Sequence, residues 1–369
     1  MHLYRSLRRF VPLNQRTLAQ CLDQGRDNFA LLRLVAAGCV IFGHSYTLLG
    51  MTNDPTFPWL GVYTHFLGLA TFFTISGFLV TLSWQRRPKL WRFLWSRALR
   101  ILPALLVCVT LSAFLLGPML TTLPLMDYLR SPQPYAYLIG NASLLDLHWQ
   151  LPGVFAKSPV TDFVNGSLWT LPIEASLYIV VAMLGISSLL KRRWLGSFTI
   201  VVLTIAYLAW PQQPLSQIGL ERAIVCFFIF GALCCINREH IPISTVGVLF
   251  IVVLTWALRN TDLYRASLAL CIAYSGFWFA YVPRLPSIDR IGDGSYGLYL
   301  WGSPLQQVLI TAGGIHTPGL LFCACLPLAL GFGLASWHSI EKLALRLKQP
   351  RHLQRAGART TVTASFNPD

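Results

Sequence analysis

Apolar runs long enough to cross a bilayer, about 20 residues each, recur from Phe29 almost to the C-terminal end. They fall near 29–50, 59–84, 101–120, 168–190, 195–210, 221–237, 242–258, 264–282, 294–312 and 318–338, the fifth and seventh being short. Transmembrane barrels show short alternating segments instead, so this pattern predicts helices. The expected fold is all-α: a polytopic integral membrane bundle of about ten transmembrane helices. Its domain organisation would be a tail at 1–27, a membrane domain at 28–347 and a basic, polar, disordered tail at 348–369.

Composition and charge sharpen this picture. Of 369 residues 54% are hydrophobic and 12% charged, against roughly a quarter charged in soluble domains. A net charge of +15 raises the question of nucleic acid, but no basic groove with stacking aromatics is visible. With the N-terminus placed inside, 23 of the 29 Lys and Arg fall in cytoplasmic segments and five in outer ones, with Arg33 inside the first span. That is how cations orient a membrane protein, and an even number of spans puts both termini in the cytoplasm. Eight of the nine cysteines lie in apolar runs and Cys21 in the N-terminal tail, so neither a disulfide framework nor a CxxC metal site is expected. No cleaved signal peptide is expected either. One long segment, 121–167, falls on the outer face and carries Asp127, Asp146, Asp162, His148 and Trp149. It is either an acceptor-binding cap or a spacer.

Ionisable groups inside a span are costly and mark function. Arg33 and His44 share a helix face, because eleven residues make three turns plus about 20° and about 16 Å of rise. Ala37 and Val40 lie between them, leaving either a slot for a slender ligand or a close helix contact. Counting from Leu168 as the outer boundary puts Glu174 near the depth of His44, with Thr170, Glu174 and Tyr178 on one face. The ninth span adds Tyr296, Tyr299, Ser303, Gln306 and Gln307, with Pro304 as a kink. His65 reads as structural or interfacial, and the role of His338 stays open.

These segments resemble the acyltransferase-3 membrane O-acyltransferases. The first span, NFALLRLVAAGCVIFGH (28–44), is similar to that family's opening motif of an arginine and a histidine separated by ten residues. FFTISGFL (72–79), SRALRILP (96–103), SLWTLPIEASLY (167–178), SYGLYLWGSPLQQ (295–307) and SWHSIEKLALRL (336–347) resemble its later motifs, in order. Two positions depart: Gly302 stands where many members have a histidine, and Leu343 where a proline often follows the glutamate.

The resemblance implies a multi-pass enzyme of the inner (plasma) membrane that uses acetyl-CoA and no metal. Its acceptor would be a hydroxyl of a glycan or lipid-linked glycan, such as O-antigen (lipopolysaccharide) or exopolysaccharide. Arg33, Arg97 and Arg100 would bind the CoA phosphates, and the pantetheine arm would pass along Ala37 and Val40. His44 would be the general base or the covalent acyl carrier, and Glu174 would orient its imidazole. Trp169, Tyr178, Tyr299 and Gln306 are the acceptor-binding candidates. The rival reading is a transporter or flippase of a lipid-linked sugar, which leaves the Arg33–His44 spacing unexplained.

Overall fold

The computed structural model describes residues 16–160, 163–209, 215–286, 288 and 291–348. The arginines at 5, 8 and 9, Asp162, Arg290 and the tail from 349 onward, with its expected disorder, lie outside the described residues.

A helix occupies each apolar run. These are α1 Phe29–Thr47, α2 Thr64–Arg86, α3 Leu90–Leu111, α4 Thr170–Ile186, α5 Arg193–Ala209, α6 Leu215–Ile236, α7 Thr245–Ala257, α8 Tyr264–Tyr281, α9 Ser295–Thr311 and α10 Pro318–Ser336. Beyond its end α3 continues through a π-helical turn, Ser112–Leu116, into Gly117–Leu120. Likewise α10 passes through Trp337–Glu341 into Lys342–Arg346. Two-residue strands, β1 Arg16–Thr17 and β2 Pro242–Ile243, pair antiparallel.

Among the described residues six helical stretches are long and apolar enough to cross a membrane: Phe29–Thr47, Thr64–Arg86, Leu90–Leu120, Gly166–Ile186, Gly219–Ile236 and Pro318–Arg346. The protein is therefore a helical membrane protein, with fewer spans meeting that measure than the ten expected. Three of the remaining helices, α5, α7 and α9, have 17, 13 and 17 residues. Helix α9 is polar as well. It lies in the middle of the bundle with Ser295, Ser303, Gln306 and Gln307 all buried, so its surroundings are protein and its polar groups find partners there.

Helix α2 is the axis of the bundle and packs against α1, α4, α6 and α8. Small residues set these contacts, as expected where van der Waals packing drives association. A methyl group on Gly77 would run into the Phe228 carbonyl of α6, and one on Gly231 into the Thr74 carbonyl of α2. The α1–α2 pair is antiparallel: Gly43 lies against the backbone of His65, and Gly68 against Ala36 and Val40. Asn28 does not cap α1 through its side chain. It ties the start of α1 to the end of α8 by donating to the carbonyls of Phe279 (3.0 Å) and Pro283 (2.8 Å).

The segment between α3 and α4 is folded onto the bundle. It contains helices Leu125–Arg130 and Gln133–Ser143 and an antiparallel bridge between Thr121 and Val154. Tyr137 is fully buried, and Tyr128 donates to the Ala113 carbonyl in the π-helical turn of α3 (2.7 Å). The turn disturbs the regular helical ladder, and a loop tyrosine uses a carbonyl within it.

The α2–α6 contact makes a direct prediction. Gly77→Val, which forces side-chain atoms into the Phe228 carbonyl, should destabilise the protein by about 1–3 kcal/mol. Thermal unfolding in detergent should show a lower midpoint than for Ser83→Ala, a change on the same helix outside the α2–α6 glycine contact.

Candidate active site

A cavity of about 140 Å³ opens between α1, α2, α3, α4 and α9. Its charged lining is Arg33 from α1, Arg97 and Arg100 from α3, and Glu174 from α4. As their i, i+4 spacing requires, Thr170, Glu174 and Tyr178 all face it. Ser76 of α2 and Ser295, Tyr296 and Tyr299 of α9 complete its polar lining.

The arginines are organised by a residue the sequence reading did not single out. Asp293, just before α9, accepts from Arg33 Nη2 and from Arg100 Nη2 on the same oxygen, Oδ2, both at 2.8 Å. Its other oxygen accepts from Ser295 Oγ at 2.6 Å. Glu341 stands 3.7 Å from Arg100 Nη1 and accepts from Ser336. Burial alone would raise the Asp293 carboxyl, but Arg100 and Arg33 outweigh it and hold it below the usual carboxylate range. Arg97 has no carboxylate within ion-pair reach among the described residues. It lies over the ring of Tyr178 at 5.7 Å. Lys348 is a further cation beside Arg97 and Arg100: burial, then these two arginines, push its amino group down to about 8.

Glu174 belongs to this cationic chamber and lies far from His44. Its Oε1 accepts from Ser76 Oγ (2.9 Å) and from the Tyr178 hydroxyl. Along α2, Ser76 is eleven residues, about 16 Å, from His65, the residue that neighbours His44. No hydrogen bond joins Glu174 to His44 among the described residues; its partners are Ser76 and Tyr178.

The cause is the path of the chain before α4. The Val160 and Phe163 carbonyls accept from Gln307 Nε2, Gly166 N–H donates to Ser303 Oγ (3.0 Å), and Asn165 Nδ2 donates to the Leu300 carbonyl (2.9 Å). Tyr299 then bonds the Ser167 carbonyl and Thr170. The chain thus descends α9 from Gln307 to Tyr299, about 12 Å, before α4 begins. Non-helical backbone inside a bundle survives only when protein satisfies it, and here the Gln307 and Ser303 side chains of α9 do so. Counting depth from Leu168 missed this. The readable signal was polar Asn165–Gly166–Ser167 together with the buried polar residues of α9.

The slot expected along Ala37 and Val40 is corrected. These side chains are 0% and 2% exposed, and α2 and α9 close over them through Gly68 and through Gly302, which lies against Ile41. The cavity runs instead along α2. Leu69, Phe72, Ser76 and Leu79 line it at i, i+3, i+7 and i+10 spacing, one helix face, and His65 continues that face one turn, about 6 Å, further on.

The other candidates divide. Tyr178 and Tyr299 line the cavity, whereas Trp169 packs partly buried against the core. Gln306 is wholly buried and clamps α1, donating to the Ile41 carbonyl and Ser45 Oγ, both at 2.8 Å. Among the described residues no group of three or more His, Cys, Asp or Glu side chains is placed to hold a metal.

The acyltransferase domain family matches residues 26–338, most of the chain. This chain belongs to that family. It is a membrane acyltransferase, and its cationic chamber, together with the arginine and histidine of α1, lies within the matched region. Among its relatives, an O-acetyl transferase of Shigella phage Sf6 is 27% identical over 343 residues, covering 88% of this chain and 97% of the relative. Nodulation protein 10 of Rhizobium leguminosarum bv. viciae is 28% identical over 362 residues, covering 88% of this chain and 94% of the relative. No solved structure matches the acyltransferase chain.

The shared carboxylate sets a pH-dependent expectation. Because the folded-state pKa of Asp293 is depressed, its contribution is present above the unfolded value near 3.9 and disappears as pH falls through the folded value. Asp293→Asn should cost about 3 kcal/mol at pH 7, the order seen when one partner of a buried pair is removed. In detergent melts the gap to the unmodified protein should narrow below about pH 4.

Proposed function

We propose that this acyltransferase moves an acetyl group from cytoplasmic acetyl-CoA to a hydroxyl of a cell-envelope glycan, of the O-antigen or exopolysaccharide kind. It would do so from the inner membrane, with about ten spans and both termini in the cytoplasm. The observation that carries this reading is the cavity. One end presents three guanidinium groups, and the other stops one turn of α2 short of the His44–His65 neighbourhood. The cation bias in the loops and the name of the phage relative, an O-acetyl transferase, support the orientation and the acyl group.

On this reading Arg33, Arg97 and Arg100 bind the phosphates of CoA. Charge-assisted hydrogen bonds make guanidinium the suitable partner, and Arg97, without a carboxylate, has the most to gain. Asp293 aligns the other two from either side of the opening. Ser76, Glu174 and Tyr178 meet the amide groups of the pantetheine arm halfway along. The thioester then reaches His44 at the far end. His44 takes the proton of the acceptor hydroxyl as its oxygen attacks the thioester carbon. The C–O bond forms, the C–S bond breaks, and the departing thiolate takes the proton from the imidazolium. With donor and acceptor arriving from opposite faces, no separate acyl carrier is needed.

Purified protein in nanodiscs should hydrolyse labelled acetyl-CoA slowly and acetylate glycan. His44→Ala should lower transfer by about 10²-fold or more, the usual contribution of a positioned base. Full glycan acetylation by that variant would overturn the mechanism. A transporter would show no acetyl-CoA turnover at all. Lys348 supplies a second expectation: the KM for acetyl-CoA should rise as pH passes about 8 and the amine loses its charge. Lys348→Met should flatten that rise.

A further inference from the structure

We infer that His65 is an acceptor-binding residue, whose ring nitrogen bonds a hydroxyl of the glycan and so holds the reacting hydroxyl at His44. This rests on the reading above and adds the residue that would select the acceptor.

The two imidazoles face each other across the α1–α2 contact, ring centroids 5.6 Å apart and inclined at 45°. The bundle pairs the polar groups of Ser76, Glu174, Tyr178, Tyr299, Gln307 and the Gln306 amide nitrogen. Neither imidazole has a hydrogen-bond partner among the described residues; the buried His65 Nδ1, unpaired like Thr81 Oγ1, Tyr137 OH and Gln306 Oε1, lies against Gly43. An unpaired polar group in an apolar interior carries a desolvation cost. The two rings lie side by side one turn of α2 beyond the cavity lining, and Nε2 is the His65 nitrogen left for a hydroxylated ligand, since Nδ1 is shut against Gly43.

The surroundings fix the pair rigidly. Gly43 admits the His65 backbone at a distance that any side chain would prevent. The Tyr63 ring stacks on His65 at 5.4 Å and 9°, holding its plane. Gln306 grips Ile41 and Ser45, on either side of His44. At this separation, oxygens of one sugar can reach a nitrogen on each ring. His44 takes the proton of the reacting hydroxyl, and His65 forms only a hydrogen bond, so the transfer step stays as balanced above.

The test separates donor chemistry from acceptor chemistry. Polysaccharide from expressing cells, stripped of its esters with mild base, serves as acceptor; water serves as acceptor in hydrolysis. His65→Ala should lower the ratio of transfer to the polysaccharide over acetyl-CoA hydrolysis about tenfold or more, roughly one hydrogen bond. His65→Asn, which retains a side-chain donor and acceptor, should recover part of it. Wild-type transfer by His65→Ala would overturn the inference. So would parallel loss of hydrolysis, transfer and melting temperature in both variants, which marks a structural role. His44→Ala in the same assay tests the underlying reading on its own: if it transfers normally the whole mechanism fails, and if it alone is inactive only the role of His65 fails.

Discussion

Two guanidinium groups from different helices converge on a single oxygen of Asp293, and the geometry of the acyltransferase chamber depends on that meeting. Arginines this deep in a bundle are stable only when paired or hydrated. The carboxylate at the start of α9 therefore holds α1 and α3 at a set distance. Two positive charges share one full partner, with Glu341 adding a second at 3.7 Å. Arg97 stands beside them with an aromatic face for company. With Lys348 beside them, four cations meet three carboxylates at this mouth, Asp293, Glu341 and Glu174.

From that mouth inward, the shape of the cavity follows from close packing elsewhere. Glycines at positions 43, 68 and 302 let α1 lie against α2 and α9, which shuts the Ala37–Val40 face. The open volume lies instead between α2, α3, α4 and α9, with Arg33 of α1 at one end. That descending stretch has no regular helix of its own before Gly166, so Ser303 and Gln307 bond its backbone, and the Leu300 carbonyl holds the Asn165 side chain. The polar residues that make α9 look unsuited to a membrane are the ones that let a non-helical chain enter it.

Much of the architecture could be read from the chain itself. Helical class and the positions of the ten apolar runs follow from hydrophobic periodicity, because each helix must cover its backbone locally whatever its neighbours do. The importance of Arg33 followed from the same economy, since a cation inside an apolar run needs a reason. The i, i+4 set Thr170, Glu174 and Tyr178 was legible too, because spacing within one helix determines which residues share a face. The family likeness of the six motifs was carried by residue identities alone.

What the chain by itself did not determine was everything that depends on which helices touch and at what height. Asp293 carries no sequence signal of its own, and only tertiary contact brings two arginines to it. Glu174 was assigned to His44 because depth was counted from the polar boundary of a span, whereas the chain had already travelled about 12 Å into the bundle before α4 began. His65 read as structural or interfacial, and one helix by itself cannot show that another presents an imidazole to it. Local sequence governs the backbone and the face of each helix, while glycine contacts and long-range ion pairs decide register. At 1.5 Å of rise per residue, a difference of a few residues in register is enough to move a carboxylate from one end of the site to the other.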